Sequence, residues 1–226
     1  MPKEKPVFSD ATRAQLSFVA ALEKRCLIWL ANCMPRWINS DHLTLLGSLG
    51  MLFTGVSYWL ARWNRYALLL AIFCLAVNWF GDSLDGTLAR VRNRQRPRYG
   101  FYVDHVVDTF GAFFLLAGLG LSGYMHWKVA MGLLIAFYAI SIEVYLAAYT
   151  VGVFHLSHWK LGPTELRILL AVGNVVLIYH PMATVLGRRY PLFDVGGVVG
   201  IVGITVMMIA GVVRNTRTLY RAEPLP

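Results

Sequence analysis

The chain is short of charge. Only 15% of its 226 residues are charged, against 57% hydrophobic, too little polar material to cover a soluble domain of this size, so a lipid bilayer is the expected solvent. Cysteine is scarce as well: Cys26, Cys33 and Cys74 form neither a disulfide framework nor a metal-binding pattern, and read as packing residues. No stretch alternates with the two-residue period of a strand, and neither a long linker nor an internal repeat divides the chain, so one all-α domain is the simplest reading. The first apolar run follows a mixed-charge segment (Lys3, Glu4, Lys5, Asp10, Arg13) without a small-residue cleavage pattern, which argues against a secretory signal peptide.

Apolar length is what the chain has in quantity. Six stretches of roughly 18 residues or more are each long enough, at about 1.5 Å per residue, to cross a hydrocarbon core of about 30 Å. They run approximately over 43–60, 66–88, 101–122, 128–151, 164–186 and 193–213, with short connections marked by Asn64, Gly162-Pro163 and Pro191. Short connections imply antiparallel neighbours. Ahead of them, residues 9–34 pattern as an amphipathic helix, capped by Ser9 and Asp10, with Phe18, Leu22, Cys26 and Trp29 at helical spacing. It either lies in the membrane interface or packs on the bundle. The expected organisation is therefore an all-α integral membrane protein: an interfacial segment over 1–42, a six-helix transmembrane domain over 43–213 and a tail over 214–226. Gly196 and Gly200, four apart in the last span, would let another helix approach closely.

The net charge of +9 raises the question of nucleic acid, but the basic residues cluster at the ends of apolar segments, where a membrane surface explains them. Of 21 Lys and Arg, sixteen fall on one side of the expected topology: residues 3, 5, 13, 24, 25 and 36, the five arginines of 90–98, Lys160, Arg167, and residues 214, 217 and 221. Arg62, Arg65, Lys128, Arg188 and Arg189 fall on the other. The positive-inside rule then puts both termini and the 90–98 loop in the cytosol, with a bacterial inner membrane the favoured setting.

Acids are rarer still. The chain has twelve Asp and Glu, yet four Asp lie in the second and third spans, where each would cost about 2.5–3.5 kcal/mol at the bilayer centre. Asp82 and Asp85 are three apart and Asp104 and Asp108 four apart, so each pair shares a helix face beside the basic loop joining the two spans. An antiparallel hairpin can bring the two faces together near the cytosolic end. Carboxylates without His or Cys suit Mg²⁺ or Mn²⁺ rather than Zn²⁺. Four have room for two ions, an arrangement that clamps the attacking and leaving oxygens of a displacement at phosphorus. A cation transporter is the reading from another class, but it expects acids spread through the membrane depth, whereas these crowd one end.

Near that end Gly86 and Gly100 remove side chains where a substrate would approach the backbone, and Arg90 offers phosphate oxygens a planar fork of donors. Singly, each has a bland reading in helix packing or topology. Together the residues run Asp82-x2-Asp85-Gly86-x2-Ala89-Arg90-x9-Gly100-x3-Asp104-x3-Asp108, and this resembles the signature of the CDP-alcohol phosphotransferase (CDP-alcohol phosphatidyltransferase) family at all eight defining positions. The resemblance implies that an acceptor hydroxyl attacks the β-phosphorus of a CDP-linked alcohol and CMP leaves. It further implies Asp82, Asp85, Asp104 and Asp108 as metal ligands, Asp108 also as general base, and Gly86, Ala89, Arg90 and Gly100 against the nucleotide. The family's Pro-Asn pair before a Thr is missing here, where Ser40-Asp41-His42-Leu43-Thr44 stands, so the resemblance assigns no nucleotide role to Asp41, but Thr44 fits and joins the residues expected at the nucleotide. The donor expected is CDP-diacylglycerol and the acceptor a small polar alcohol, with a soluble CDP-alcohol and a lipid acceptor as the alternative. A homodimer is typical of the family.

Outside the motif, Gly118-x-Gly120-x2-Gly123 imitates a dinucleotide-binding pattern, but no strand precedes it. His155 and His158 flank the membrane without a zinc motif. Glu143, a lone acid in the fourth span, either faces the active site or pairs with a neighbouring helix. Lys160, Glu165 and Arg167 surround the turn at Gly162-Pro163-Thr164; either they form an acceptor pocket, with Arg167 on an acceptor phosphate, or they face lipid headgroups.

Overall fold

The computed structural model describes residues 20–151 and 162–223. Within them the chain forms α1 (Ala20–Cys33), α2 (Ser40–Ala61), α3 (Ala67–Val91), α4 (Pro97–Ser122), α5 (Trp127–Thr150), α6 (Pro163–Tyr179), a hairpin of β1 (Met182–Val185) and β2 (Arg188–Pro191), and α7 (Leu192–Ala222). Helices α2, α3, α4, α5 and α7 are long and apolar enough to cross a membrane. The fold is thus that of an all-α membrane protein.

Glycines set the closest approaches. A methyl group on Gly81 of α3 would stand 2.5 Å from the backbone of Gly47 and Leu43, and one on Gly118 of α4 would stand 2.1 Å from the Gly55 carbonyl oxygen. Helices α3 and α4 therefore each meet α2 backbone to backbone, which fixes their register against it. The imitation dinucleotide pattern is structural: Gly118 makes this contact, Gly120 faces Ala130 and Trp127, and Gly123 ends α4 with φ 82°. A core of Tyr58, Leu68, Leu116, Leu119, Ala130, Leu134 and Leu177 fills the space between α2, α3, α4, α5 and α6.

The sequence expectations need correction at five places. The fifth span, expected over 164–186, ends at Tyr179, because Pro181 cannot continue a helix and restricts His180 before it. The hairpin that follows went unread: four-residue strands are too short to show alternation, although Leu186 and Gly187, both with positive φ, make a turn suited to it. Helix α7 runs past 213 to Ala222, since its arginine-bearing last turns remain good helix formers in water. In α1 the buried residues are Leu27 and Ala31, packed near Leu43, Leu84 and Leu88, while Cys26 and Trp29 of the expected apolar stripe are exposed. Residues 9–19 of that expected helix lie outside the described residues. In α7, it is Gly197 and Gly200 that face α5, through Val129 and Leu133, whereas a methyl group on Gly196 would meet nothing within 4 Å among the described residues.

Two polar ties hold the ends of the bundle. Arg92, just past α3, donates to the carbonyls of Met34, Pro35 and Ile38, fastening the α1–α2 connection. At the opposite end Asp194, in the first turn of α7, accepts from the His126 backbone N–H at 2.7 Å and meets the same residue's ring with its other oxygen.

Candidate active site

The motif occupies the last turns of α3 and the first turns of α4, joined by a short loop. Asn93 turns that loop in the left-handed conformation (φ 52°) that Asn tolerates, and Pro97 opens α4 at a position where its missing N–H costs nothing. The two helix faces converge as their spacing predicts. One carboxylate oxygen from each of Asp82, Asp104 and Asp108 lies within 4.8 Å of the others. Three hard oxygen donors at that separation, with no thiolate or imidazole among them, suit a divalent cation such as Mg²⁺ or Mn²⁺.

The three carboxylates differ in their company. Asp82 Oδ2 accepts from Arg167 Nη2 at 2.5 Å, Asp104 lies 3.8 Å from the His105 ring, and Asp108, exposed, accepts no hydrogen bond among the described residues. Asp85 stands apart from this trio. Its Oδ2 accepts from Thr44 Oγ1 at 2.6 Å and its Oδ1 from the Gly86 backbone N–H, so α2 reaches the motif through Thr44.

Gly86 and Gly100 are not packing glycines. A methyl group on Gly86 would meet nothing nearer than Arg90 Nη1 at 3.6 Å, and one on Gly100 nothing within 4 Å among the described residues. The bland reading of these two, close helix packing, is thereby removed, and both faces are open to a ligand. Arg90 is exposed at the same edge, donating to Thr87 Oγ1 at 3.1 Å, and Ala89 lies half-buried beside it. Asp41, near Thr44, pairs with Arg96, whose guanidinium also lies over the Tyr99 ring.

The residues expected for the acceptor separate. Arg167 enters the site from α6, donating through Nε to Asn78 Oδ1 at 2.8 Å as well as to Asp82. Glu143 does not: it accepts from Asn215 on α7 at 2.7 Å and fills the space over Gly211, which is the pairing alternative raised from the sequence. Lys160, His155 and His158 lie outside the described residues. Glu165 caps α6 by accepting from the Gly162 backbone N–H at 2.9 Å. Sequence reasoning missed two residues. Glu23 of α1 accepts from Trp79 Nε1 at 2.8 Å and from Thr164 Oγ1 at 2.7 Å, tying α1, α3 and α6 together. Asn78 is a buried amide one helical turn before Asp82; its signal was a lone carboxamide in an apolar run.

A membrane-type helical bundle carrying three carboxylates within shared-ligand reach at one end defines the class of protein. The model of the CDP-alcohol phosphatidyltransferase family matches residues 37–214, and the chain belongs to that family. It is 33% identical over 104 residues to the archaetidylinositol phosphate synthase of Pyrococcus horikoshii. That match covers 46% of this chain and 52% of the relative, so the chain spans about half the length of the curated relative it matches. Its fold is similar to that of the phosphatidylinositol phosphate synthase of Mycobacterium tuberculosis, crystallised with CDP-DAG bound, with a TM-score of 0.57 and 19% identity over 87% of this chain and 94% of that one.

Proposed function

We propose that this protein transfers a substituted phosphate group from a CDP-linked lipid to the hydroxyl of a small polar alcohol, releasing CMP, in phospholipid synthesis. The observation that carries the reading is the meeting of Asp82, Asp104 and Asp108, drawn from both halves of the family motif, within 4.8 Å. In this reading those residues hold divalent cation, and Asp85 supplies the fourth carboxylate of a two-ion set, whose four negative charges balance two Mg²⁺ or Mn²⁺. Bound metal would neutralise charge on the phosphate oxygens and on departing CMP.

The chain's own residues do the rest. The open faces of Gly86 and Gly100 admit the CDP moiety against the backbone, with Ala89 at its side and the Arg90 guanidinium at its phosphate oxygens. Asp108, with unclaimed oxygens, takes the acceptor's proton as its hydroxyl oxygen bonds to the β-phosphorus and the bond to CMP breaks. Arg167, at the edge of the trio, meets an anionic acceptor. The names of the two relatives make an inositol phosphate the first acceptor to test, with CDP-diacylglycerol or an archaetidyl counterpart as donor.

Helix α6 serves as a sixth crossing in this scheme. It reaches from the motif, where Arg167 meets Asp82, to the far end of α2, where Asn174 donates to the Tyr58 hydroxyl at 2.9 Å, and its 17 residues fall at the lower limit of about 17 for a span. The basic bias supports a site on the cytosolic side.

Purified protein given CDP-diacylglycerol and a panel of inositol phosphate, inositol, glycerol phosphate and serine should release CMP and form one lipid of matching mass. Absence of CMP with every acceptor in Mg²⁺ or Mn²⁺ would overturn the reaction. Normal release by Asp108→Asn would overturn the assigned base.

A further inference from the structure

Asn78 lies on α3 one turn before Asp82 and is only 5% exposed. Both ends of its amide are engaged. Its Nδ2 donates to the Gly47 carbonyl of α2 at 2.9 Å, and its Oδ1 accepts from Arg167 Nε at 2.8 Å. The first bond determines the second: a backbone carbonyl can only accept, so the amide nitrogen must face Gly47 and the oxygen must face Arg167. The orientation set by the α2 backbone is thus passed across α3 to a guanidinium on α6.

That guanidinium is held at two points on one helix face, Asn78 through Nε and Asp82 through Nη2 at 2.5 Å. One ion pair alone would leave a long side chain much of its rotamer freedom, whereas two anchors fix the plane of the fork. Nη1 meets no partner among the described residues and stays open. A fixed positive charge at Asp82 also opposes any cation the trio binds, because at such distances the charges interact with little intervening solvent.

We propose that Asn78 is a positioning residue that pins the Arg167 guanidinium beside Asp82, so that the charge of Arg167 tunes the cation affinity of the Asp82, Asp104 and Asp108 trio. The proposal rests on the metal reading above and goes beyond it by assigning a role to a residue outside the motif.

A mutant cycle tests it on the full chain in detergent, with Mn²⁺ as the only ligand and its free signal read by electron paramagnetic resonance. Arg167→Gln should bind Mn²⁺ about tenfold more tightly, as expected for loss of one nearby positive charge. Asn78→Leu, close in volume, should tighten binding by a smaller factor, and the double variant should match Arg167→Gln alone. An effect of Asn78→Leu that is equal with and without Arg167, or none, would overturn the proposal while leaving the metal reading intact. A wild-type protein that binds no Mn²⁺ would overturn both. If Asn78→Leu is not recovered folded, Asn78→Ala removes the same two bonds without added bulk and completes the cycle.

Discussion

Thr44 Oγ1 donates to Asp85 Oδ2 at 2.6 Å, so the motif carboxylate that stands outside the close trio is fastened to α2, as Asp82 is fastened to α6 through Arg167. The bond crosses from α2 to α3 at their site ends and, with the Gly86 N–H on the other oxygen, holds the Asp85 carboxylate from two sides. Removing the hydroxyl leaves only the bond from its own helix.

Thr44→Val should therefore lower CMP release about tenfold, in line with about 1.5–3 kcal/mol for a hydrogen bond to a charged group, while Thr44→Ser retains most of it. Steady-state kinetics with CDP-diacylglycerol checks this. Unchanged turnover in Thr44→Val would show that Asp85 needs no such anchor.

Gly100→Ala and Gly118→Ala should behave oppositely. A methyl group at Gly100 meets nothing within 4 Å among the described residues, so thermal unfolding in detergent should be unchanged and only activity should fall, because the methyl would occupy the approach proposed for the nucleotide. At Gly118 the methyl would lie 2.1 Å from the Gly55 carbonyl oxygen, and overpacking of this kind costs about 1–3 kcal/mol or more. The unfolding temperature should drop there.

Chelation should abolish CMP release, and added Mg²⁺ or Mn²⁺ should restore it. Asp82→Asn, Asp104→Asn and Asp108→Asn should each weaken Mn²⁺ binding, since each removes a charged oxygen donor from the trio. Retention of activity in excess chelator would contradict the role given to these acids.

Asp194→Ala should destabilise the fold by about 1–3 kcal/mol, because the His126 backbone N–H loses its partner. The clasp lies at the far end from the motif, so turnover per folded molecule should stay the same. Unfolding and activity measured on one preparation separate the two effects.

Much of the site was legible in the sequence because helical spacing is local. Three- and four-residue intervals place Asp82 with Asp85 and Asp104 with Asp108 on their faces wherever the helices lie, and a short loop then brings the faces together. The division of labour among the four was not legible, since Thr44 and Arg167 reach Asp85 and Asp82 from helices distant in sequence. The same holds for Glu23, whose partners Trp79 and Thr164 lie on two other helices. In α1, a largely apolar helix between lipid and protein offers more than one plausible face, and spacing favoured Cys26 and Trp29 where packing chose Leu27 and Ala31. The β hairpin was invisible for want of length.

The glycine contacts among α2, α3 and α4 also have a mechanical meaning. Backbones that touch at Gly47, Gly55, Gly81 and Gly118 cannot slide, since a one-residue slip turns a helix by about 100° and drives side chains into the space those glycines leave. These three helices act as a stiff anvil, and on the proposed reaction any yielding that admits the donor would fall to α5, α6 and α7, whose glycine contacts meet mostly side chains rather than backbones.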